Sequence, residues 1–250
     1  MFDLKIRCSS LGKIMTGTQK VGLTPKQEQT LTELLSKIKL TDKQAIERDR
    51  LIEKRDAKPT LSVGAKTYVR SLVKAKYLEY DKAQLFSSKE TEKGNRVEEG
   101  AISLLSDFYL MEYKKNEEYY ENDYIHGNPD IVHMGTIRDT KCPWSKATFP
   151  ITEEEAYNSD YEWQVRGYMW LTNSHIATID YVLMTTPEDL RKFESPELHE
   201  VDSLPLEKRI LTLTYYRDKE LEDLIKQQVE LCRQEAIEYA NLLFTKQKSL

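Results

Sequence analysis

From Tyr124 to Cys142 the chain runs through two stretches of alternating apolar and polar residues around Met134-Gly135. No other segment restricts the fold as tightly. Alternation of this kind reads as two strands, Tyr124 to Met134 and Thr136 to Cys142, joined by a tight turn. A two-residue turn at Met134-Gly135 puts Asp130 directly opposite Asp139. Directly opposed residues of an antiparallel pair share a face, with Cβ atoms roughly 4.5–5.5 Å apart. Two carboxylates at that spacing repel unless a cation lies between them. Side chains alternate along a strand, so Lys141 shares the face of Asp139 and Thr140 points away. One face of the hairpin thus carries two carboxylates and an ammonium, an oxygen donor set of the kind Mg2+ or Mn2+ takes.

Around the hairpin the rhythm is helical. Gly94 to Leu110 is amphipathic, with Ala101, Ile102, Leu105 and Phe108 turned inward. Glu98 falls on the face of Ile102 and Leu105. A carboxylate on an apolar face needs a partner, and a metal ion or a metal-bound water would be one. Thr152 or Glu153 through Leu171 reads as one helix, on which Gln164 and Tyr168 lie one turn apart on a shared face. Ala177 to Thr185 and Arg209 to Tyr216 read as strands, and Lys219 to Phe244 as a closing helix. Helix, strand, strand, helix, strand, strand, helix predicts an α/β domain whose central mixed sheet is flanked by helices. Upstream, Ser9 or Ser10 suits an N-cap before Leu11. Thr24-Pro25 opens a charged helical stretch, with Glu28 completing a loose capping pattern. Thr41-Asp42 restarts a helix, and residues 62–80 form another. The expected organisation is a single domain over 1–250, with a basic helical insertion or arm at 18–93 and a core at 94–250.

Composition narrows the class. The chain has 250 residues, of which 39% are hydrophobic and 32% charged. It holds no apolar run near the roughly 18–20 residues that span a bilayer. The first residues lack the charged-then-apolar pattern of a secretory signal, so a cytoplasmic location is expected. Cys8, Cys142 and Cys232 are widely spaced and read as reduced thiols, one too few for an iron–sulfur cluster. No Gly-rich phosphate cradle is present, so ATP use is not expected. The net charge of −5 hides an asymmetry: residues 1–93 hold 20 Lys+Arg against 12 Asp+Glu, and residues 94–250 hold 17 against 30. That suits a polyanion-binding surface beside an acidic pocket, although solvated Lys-rich helices would give the same counts.

Asn128-Pro129-Asp130 followed by Asp139-Thr140-Lys141 resembles the signature of the PD-(D/E)xK nuclease superfamily. The wider context is similar to its phage lambda exonuclease, or YqaJ-type viral recombinase, branch. That context comprises Gly94 with Glu98 four residues on, Asp139-x-Lys141-Cys142-Pro143, and Gln164-Val165 before Met169-Trp170. Ser9-Ser10-Leu11-Gly12-Lys13 resembles that group's leading Ser motif. The resemblance is good over 94–175, loose over 1–17 and absent over 18–93. Two departures are Asp139, where this branch more often has Glu, and Asn128, an amide where a hydroxyl would bind phosphate.

The resemblance implies a metal-dependent deoxyribonuclease, most like a 5′-to-3′ exonuclease of double-stranded DNA ends acting in recombination. Asp130 and Asp139 would ligate Mg2+, with Mn2+ as a substitute, and the Thr140 carbonyl would be a third ligand. Glu98 would hold a coordinated water or a second ion. Lys141 would orient the attacking hydroxide, and Gln164 would position Lys141 or a water. Ser10 would bind a terminal phosphate or simply cap its helix, and Arg7 and Arg166 are candidate phosphate contacts. By pairing, His126 lies on the Asp130 face and reads as an ordinary polar strand residue. Trp144 and Tyr168 are aromatic candidates for base stacking, with core packing the better reading of Tyr168. The group also implies a ring-shaped homotrimer, a single-strand annealing protein as partner, no membrane, and a bacterial host cell if the gene is a phage's. The competing readings are an endonuclease of the same superfamily, of restriction or repair type, and an inactive DNA-binding protein that keeps the fold.

Overall fold

The structure is a computed structural model that describes residues 4–17, 22–57, 59–80 and 88–247, those from 244 on without side chains. The chain forms two compact units: Met1–Thr16 with Val63–Leu250, and Gly17–Ser62. Strand β1 (Ile6–Arg7) leads through a 3₁₀ turn into helix α1 (Leu11–Met15). The smaller unit then holds α2 (Pro25–Ser36) and α3 (Asp42–Asp56). Each opens with a reciprocal capping box, Thr24 with Gln27 and Thr41 with Gln44. The partner of Thr24 is thus Gln27 at the third helical position, not Glu28, because only that position reaches back to the cap. Leu31, Leu34 and Leu51 form this unit's own small core.

The larger unit continues with α4 (Val63–Tyr77), α5 (Lys89–Tyr109), β2 (Tyr120–Glu121), β3 (Ile125–Gly127), β4 (Ile131–His133) and β5 (Thr136–Lys141). After it come α6 (Glu153–Ala156), α7 (Ser159–Thr172), β6 (Ile176–Val182), α8 (Glu188–Arg191), α9 (Pro196–His199), β7 (Ile210–Tyr216) and α10 (Lys219–Gln247). The main sheet runs β4-β5-β6-β7. β5 and β6 are parallel and the other two pairs antiparallel, so the sheet is mixed as expected. A parallel pair needs a long crossover, and α6 and α7 lie within it. One sheet face packs on α5, where Ala101, Ile102 and Leu105 meet Ile131 and Val182. The other packs on α7.

Two expected elements divide. The strand expected over Tyr124 to Met134 breaks at Asn128-Pro129-Asp130, because Pro129 has no N–H to give a ladder. Its first part, β3, joins a separate small sheet in the order β1-β3-β2. His126 therefore sits in the small sheet, bonded to the Tyr119 hydroxyl, and not beside Asp130. The helix expected from Thr152 to Leu171 breaks before Ser159. There the Asn158 side chain accepts the N–H groups of Asp160 and Tyr161 and starts α7 afresh. No helix among the described residues is long and apolar enough to cross a membrane.

Candidate active site

Met134 and Gly135 both adopt positive φ, 47° and 74°. Two central residues in that region make the turn whose twist matches paired strands. Below it Ile131 pairs with Arg138, Val132 with Ile137 and His133 with Thr136. This is the register the sequence predicts, and Asp130 stands opposite Asp139 one step past the last rung. There the backbone ladder stops and a side chain continues it. Asp130 Oδ2 accepts from the Thr140 backbone N–H and from Thr140 Oγ1, both at 2.7 Å. Thr140, expected to point away from the site, thus turns its hydroxyl to Asp130, because β4 ends before it could pair there.

On the α7 face of β5, Asp139, Lys141 and Gln164 form a closed triangle. Lys141 Nζ lies 2.5 Å from Asp139 Oδ2. Gln164 Nε2 donates to Asp139 Oδ1 at 3.0 Å, and Lys141 Nζ donates to Gln164 Oε1 at 3.4 Å. The Gln164 amide also meets the Tyr168 hydroxyl at 3.1 Å, and the Lys141 ammonium stands over the Tyr161 ring. Asp139 is 1% exposed. Its Oδ2, though close to the ammonium, receives no well-directed hydrogen bond. The Asp139 carboxyl stands raised to about 7: burial pushes it up, Lys141 pulls it down, and Asp130 adds to the rise. Burial by itself would lower the Lys141 ammonium, but Asp139 outweighs it and holds the pKa above its ordinary value.

The triangle opens into a cavity of about 760 Å³. Of the sequence candidates, Arg7, Glu98, Asn128, Asp130, Asp139, Thr140, Lys141 and Gln164 line it. Glu98 reaches the rim from α5, the helix on the opposite sheet face, and pairs with Lys115 at 3.2 Å. This origin explains why, among the described residues, no three His, Cys, Asp or Glu side chains come together. Asn128 donates to the Glu118 carbonyl. Two candidates lie elsewhere: Arg166 is held by Glu162 on its own helix, and Ser10 caps α1 without a side-chain bond to the helix and meets Tyr68. Ser9, its neighbour in the 3₁₀ turn, faces the cavity instead. Trp144 and Tyr168 are both wall residues and both largely buried. Sequence reasoning did not single out Lys115, Tyr161, Tyr181 or Asn158 on the wall. Asn158 ahead of Tyr161 was legible as a cap; a loop lysine such as Lys115 carries no pattern at all.

The lining fits a hard divalent cation. Three cationic side chains (Arg7, Lys115, Lys141) face four carboxylates (Glu90, Glu98, Asp130, Asp139), so the cavity is net negative. A phosphate diester would be repelled from it without added positive charge. Asp139 Oδ2 is buried and faces the Lys141 ammonium without a directed hydrogen bond, so it keeps a lone pair that a metal cation could take. Two carboxylates suffice for Mg2+, which keeps several waters and takes further oxygens from a substrate phosphate. Thr140 adds a backbone carbonyl at the strand edge past the end of β4.

Carboxylates and a lysine at the end of a hairpin, in a mixed sheet flanked by helices, define a PD-(D/E)xK-type nuclease core. Comparison with solved structures then narrows the class. A phage-related exonuclease from Haemophilus somnus 129PT is 31% identical, with 97% of this chain and 96% of that one covered and a TM-score of 0.74. An alkaline exonuclease from Laribacter hongkongensis matches at a TM-score of 0.62 and 12% identity, covering 98% and 95% of the two chains. The same enzyme in complex with dAMP gives 0.60 and 13% over the same shares. At that identity the latter two speak for the fold alone. No protein-family model and no curated protein matches the sequence. The chain belongs to the phage-related exonuclease family, of the lambda exonuclease and YqaJ type.

Proposed function

We propose that this exonuclease hydrolyses phosphodiester bonds at the ends of double-stranded DNA with Mg2+ as its cation, Mn2+ substituting. The observation that carries the reading is the Asp139, Lys141 and Gln164 triangle, in which buried Asp139 Oδ2 faces the ammonium without a directed hydrogen bond, on the wall of a net-negative cavity. Asp130, Asp139 and the Thr140 carbonyl would hold the ion, with Glu98 reaching the same space through a water. A bound divalent ion supplies a Lewis acid that acidifies water and neutralises phosphate charge. Lys141 stays protonated beside Asp139, and its ammonium orients the attacking water and offsets charge growing on the phosphoryl oxygens. Gln164 holds the other two, accepting from Lys141 and donating to Asp139. Asp130 is fixed by two donors from Thr140, so its second oxygen keeps one direction.

The likeness to a phage-related exonuclease over 97% of this chain supports an end-directed enzyme over the endonuclease and over an inactive binder. The residue pattern shared with the lambda exonuclease group supports 5′-to-3′ polarity, a homotrimer, a role in recombination and an annealing protein as partner. The test is end-labelled linear duplex beside closed circular duplex, with Mg2+ and with EDTA. Loss of label from the linear form alone, prevented by EDTA, is expected. Cutting of the closed circle, or activity in EDTA, would overturn the reading.

A further inference from the structure

The loop between α5 and β2 does more than connect them. Asn116 is bolted to the segment that carries Asp130. Its backbone N–H donates to the Asp130 carbonyl at 2.7 Å, and its side chain donates to the Pro129 carbonyl at 3.0 Å and to the Glu118 carbonyl at 2.9 Å. Asn128 closes the bracket from the other side, donating to the Glu118 carbonyl at 2.6 Å. Residues 116–118 thus move with residues 128–130. The residue just before the bracket is Lys115, whose ammonium is held at the cavity wall 3.2 Å from Glu98.

That placement sets Lys115 apart from Lys141, the other lysine on the wall. Lys141 is held against Asp139 at the hydrolytic centre. Among the described residues Lys115 is paired with Glu98, and its side chain keeps 45% of its surface against 21% for Glu98. An ion pair this wet is worth little, so the ammonium can exchange Glu98 for a phosphate at small cost. We propose that Lys115 is a substrate-binding residue that takes a backbone phosphate of the DNA strand in the cavity, with Asn116 as the positioning residue that ties its location to Asp130. The proposal deepens the nuclease reading and rests on it. In this arrangement the phosphate contact and Asp130 sit on one rigid piece, so the strand is registered against the hydrolytic centre and not against a mobile loop.

The test measures binding of a fluorescent blunt duplex in magnesium across a salt series. Asp139→Asn serves as the common background so that the duplex stays intact. Adding Lys115→Gln is expected to weaken binding on the order of tenfold and to lower the slope of log affinity against log salt by about one. Lys115→Arg is expected to restore both. Lys114→Gln, at a fully solvated neighbour paired with Glu112, is expected to change neither. Equal affinity and slope with and without Lys115→Gln would overturn the assignment while leaving the nuclease reading intact. Failure of the background protein itself to bind linear duplex would overturn the nuclease reading and the Lys115 assignment with it.

Discussion

Strand β5 carries a buried ion pair on each of its two faces, and the two are built on opposite principles. On the α5 face Arg138 meets Asp180 at 2.8 Å. Asp180 also accepts from Thr178 at 2.7 Å and from Thr212 at 2.6 Å, and the guanidinium lies between the Tyr109 and Tyr113 rings. Every oxygen of that carboxylate is satisfied. On the α7 face, one residue along, Asp139 and Lys141 stand just as close, but Asp139 is left with an oxygen that receives no directed bond. A satisfied buried network rigidifies, whereas a partly satisfied one is costly. Since the same strand supports both, the shortfall on the α7 face is local to the cavity and is what a cation would fill.

Removing one carboxylate from each face should therefore give opposite results. Asp139→Asn takes away a buried charge that the fold supports poorly. It is expected to abolish hydrolysis of end-labelled duplex, a loss of at least 10²–10³-fold on the scale of deleting one transition-state contact. Its thermal midpoint in EDTA should fall less than that of Asp180→Ala, because the Lys141 ammonium it leaves behind reaches the cavity and keeps the Gln164 oxygen. Asp180→Ala does the reverse. It strands the Arg138 guanidinium inside the protein, at a cost of roughly 3–5 kcal/mol, read as a lower denaturant midpoint. The fraction that remains folded should still cleave. An Asp139→Asn protein that unfolds, or an Asp180→Ala protein as stable as the parent, would erase the distinction between the faces.

How much of this contrast is legible in the sequence follows from range. The hairpin register is set by local alternation and one turn, so Asp130 opposite Asp139 and Lys141 beside it could be read directly. Gln164 followed from helical spacing and the family pattern together. Glu98 shares helical spacing with Ile102 and Leu105, which pack on the sheet, but alternation does not say which side of the sheet a helix will cover. Its pairing with Lys115 is a long-range result. The Arg138–Asp180 pair joins residues 42 apart, and nothing local marks it. The Pro129 break was visible as a proline, yet its consequence, that β3 joins a second sheet with β1, depends on where the first residues of the chain pack.

A third buried cation sharpens the comparison because it has no carboxylate. Lys93 is fully buried on α5, and its ammonium donates to the carbonyls of Pro143 and Trp144, the loop that follows Lys141. Burial pulls its pKa down from 10.5 to about 8. Between pH 8 and 10.5 the unfolded chain therefore holds a proton at this position that the folded chain has released. Stability rises with pH wherever the unfolded state binds more protons. The parent should gain on Lys93→Met across that window, by at most about 3 kcal/mol, and the difference should be flat below pH 8. Paired denaturant titrations across the alkaline range would show it. A gap that is constant throughout would mean that the ammonium is as comfortable here as in water.

The smallest effect concerns the turn that sets both faces. Met134 is 87% exposed and holds φ at 47°, a conformation that costs a side chain without a local hydrogen bond about 1–2 kcal/mol and that Asn tolerates. Asn-Gly is the favoured pair for such a turn. Met134→Asn should raise the denaturant midpoint by an amount corresponding to about 0.5–1 kcal/mol. It should leave cleavage of labelled duplex unchanged, because the rungs from Ile131 to Thr136 already fix Asp130 and Asp139. If the same substitution also altered cleavage, then the turn and not the ladder would control the spacing of the two carboxylates. The difference between the faces of β5 would then begin at Met134.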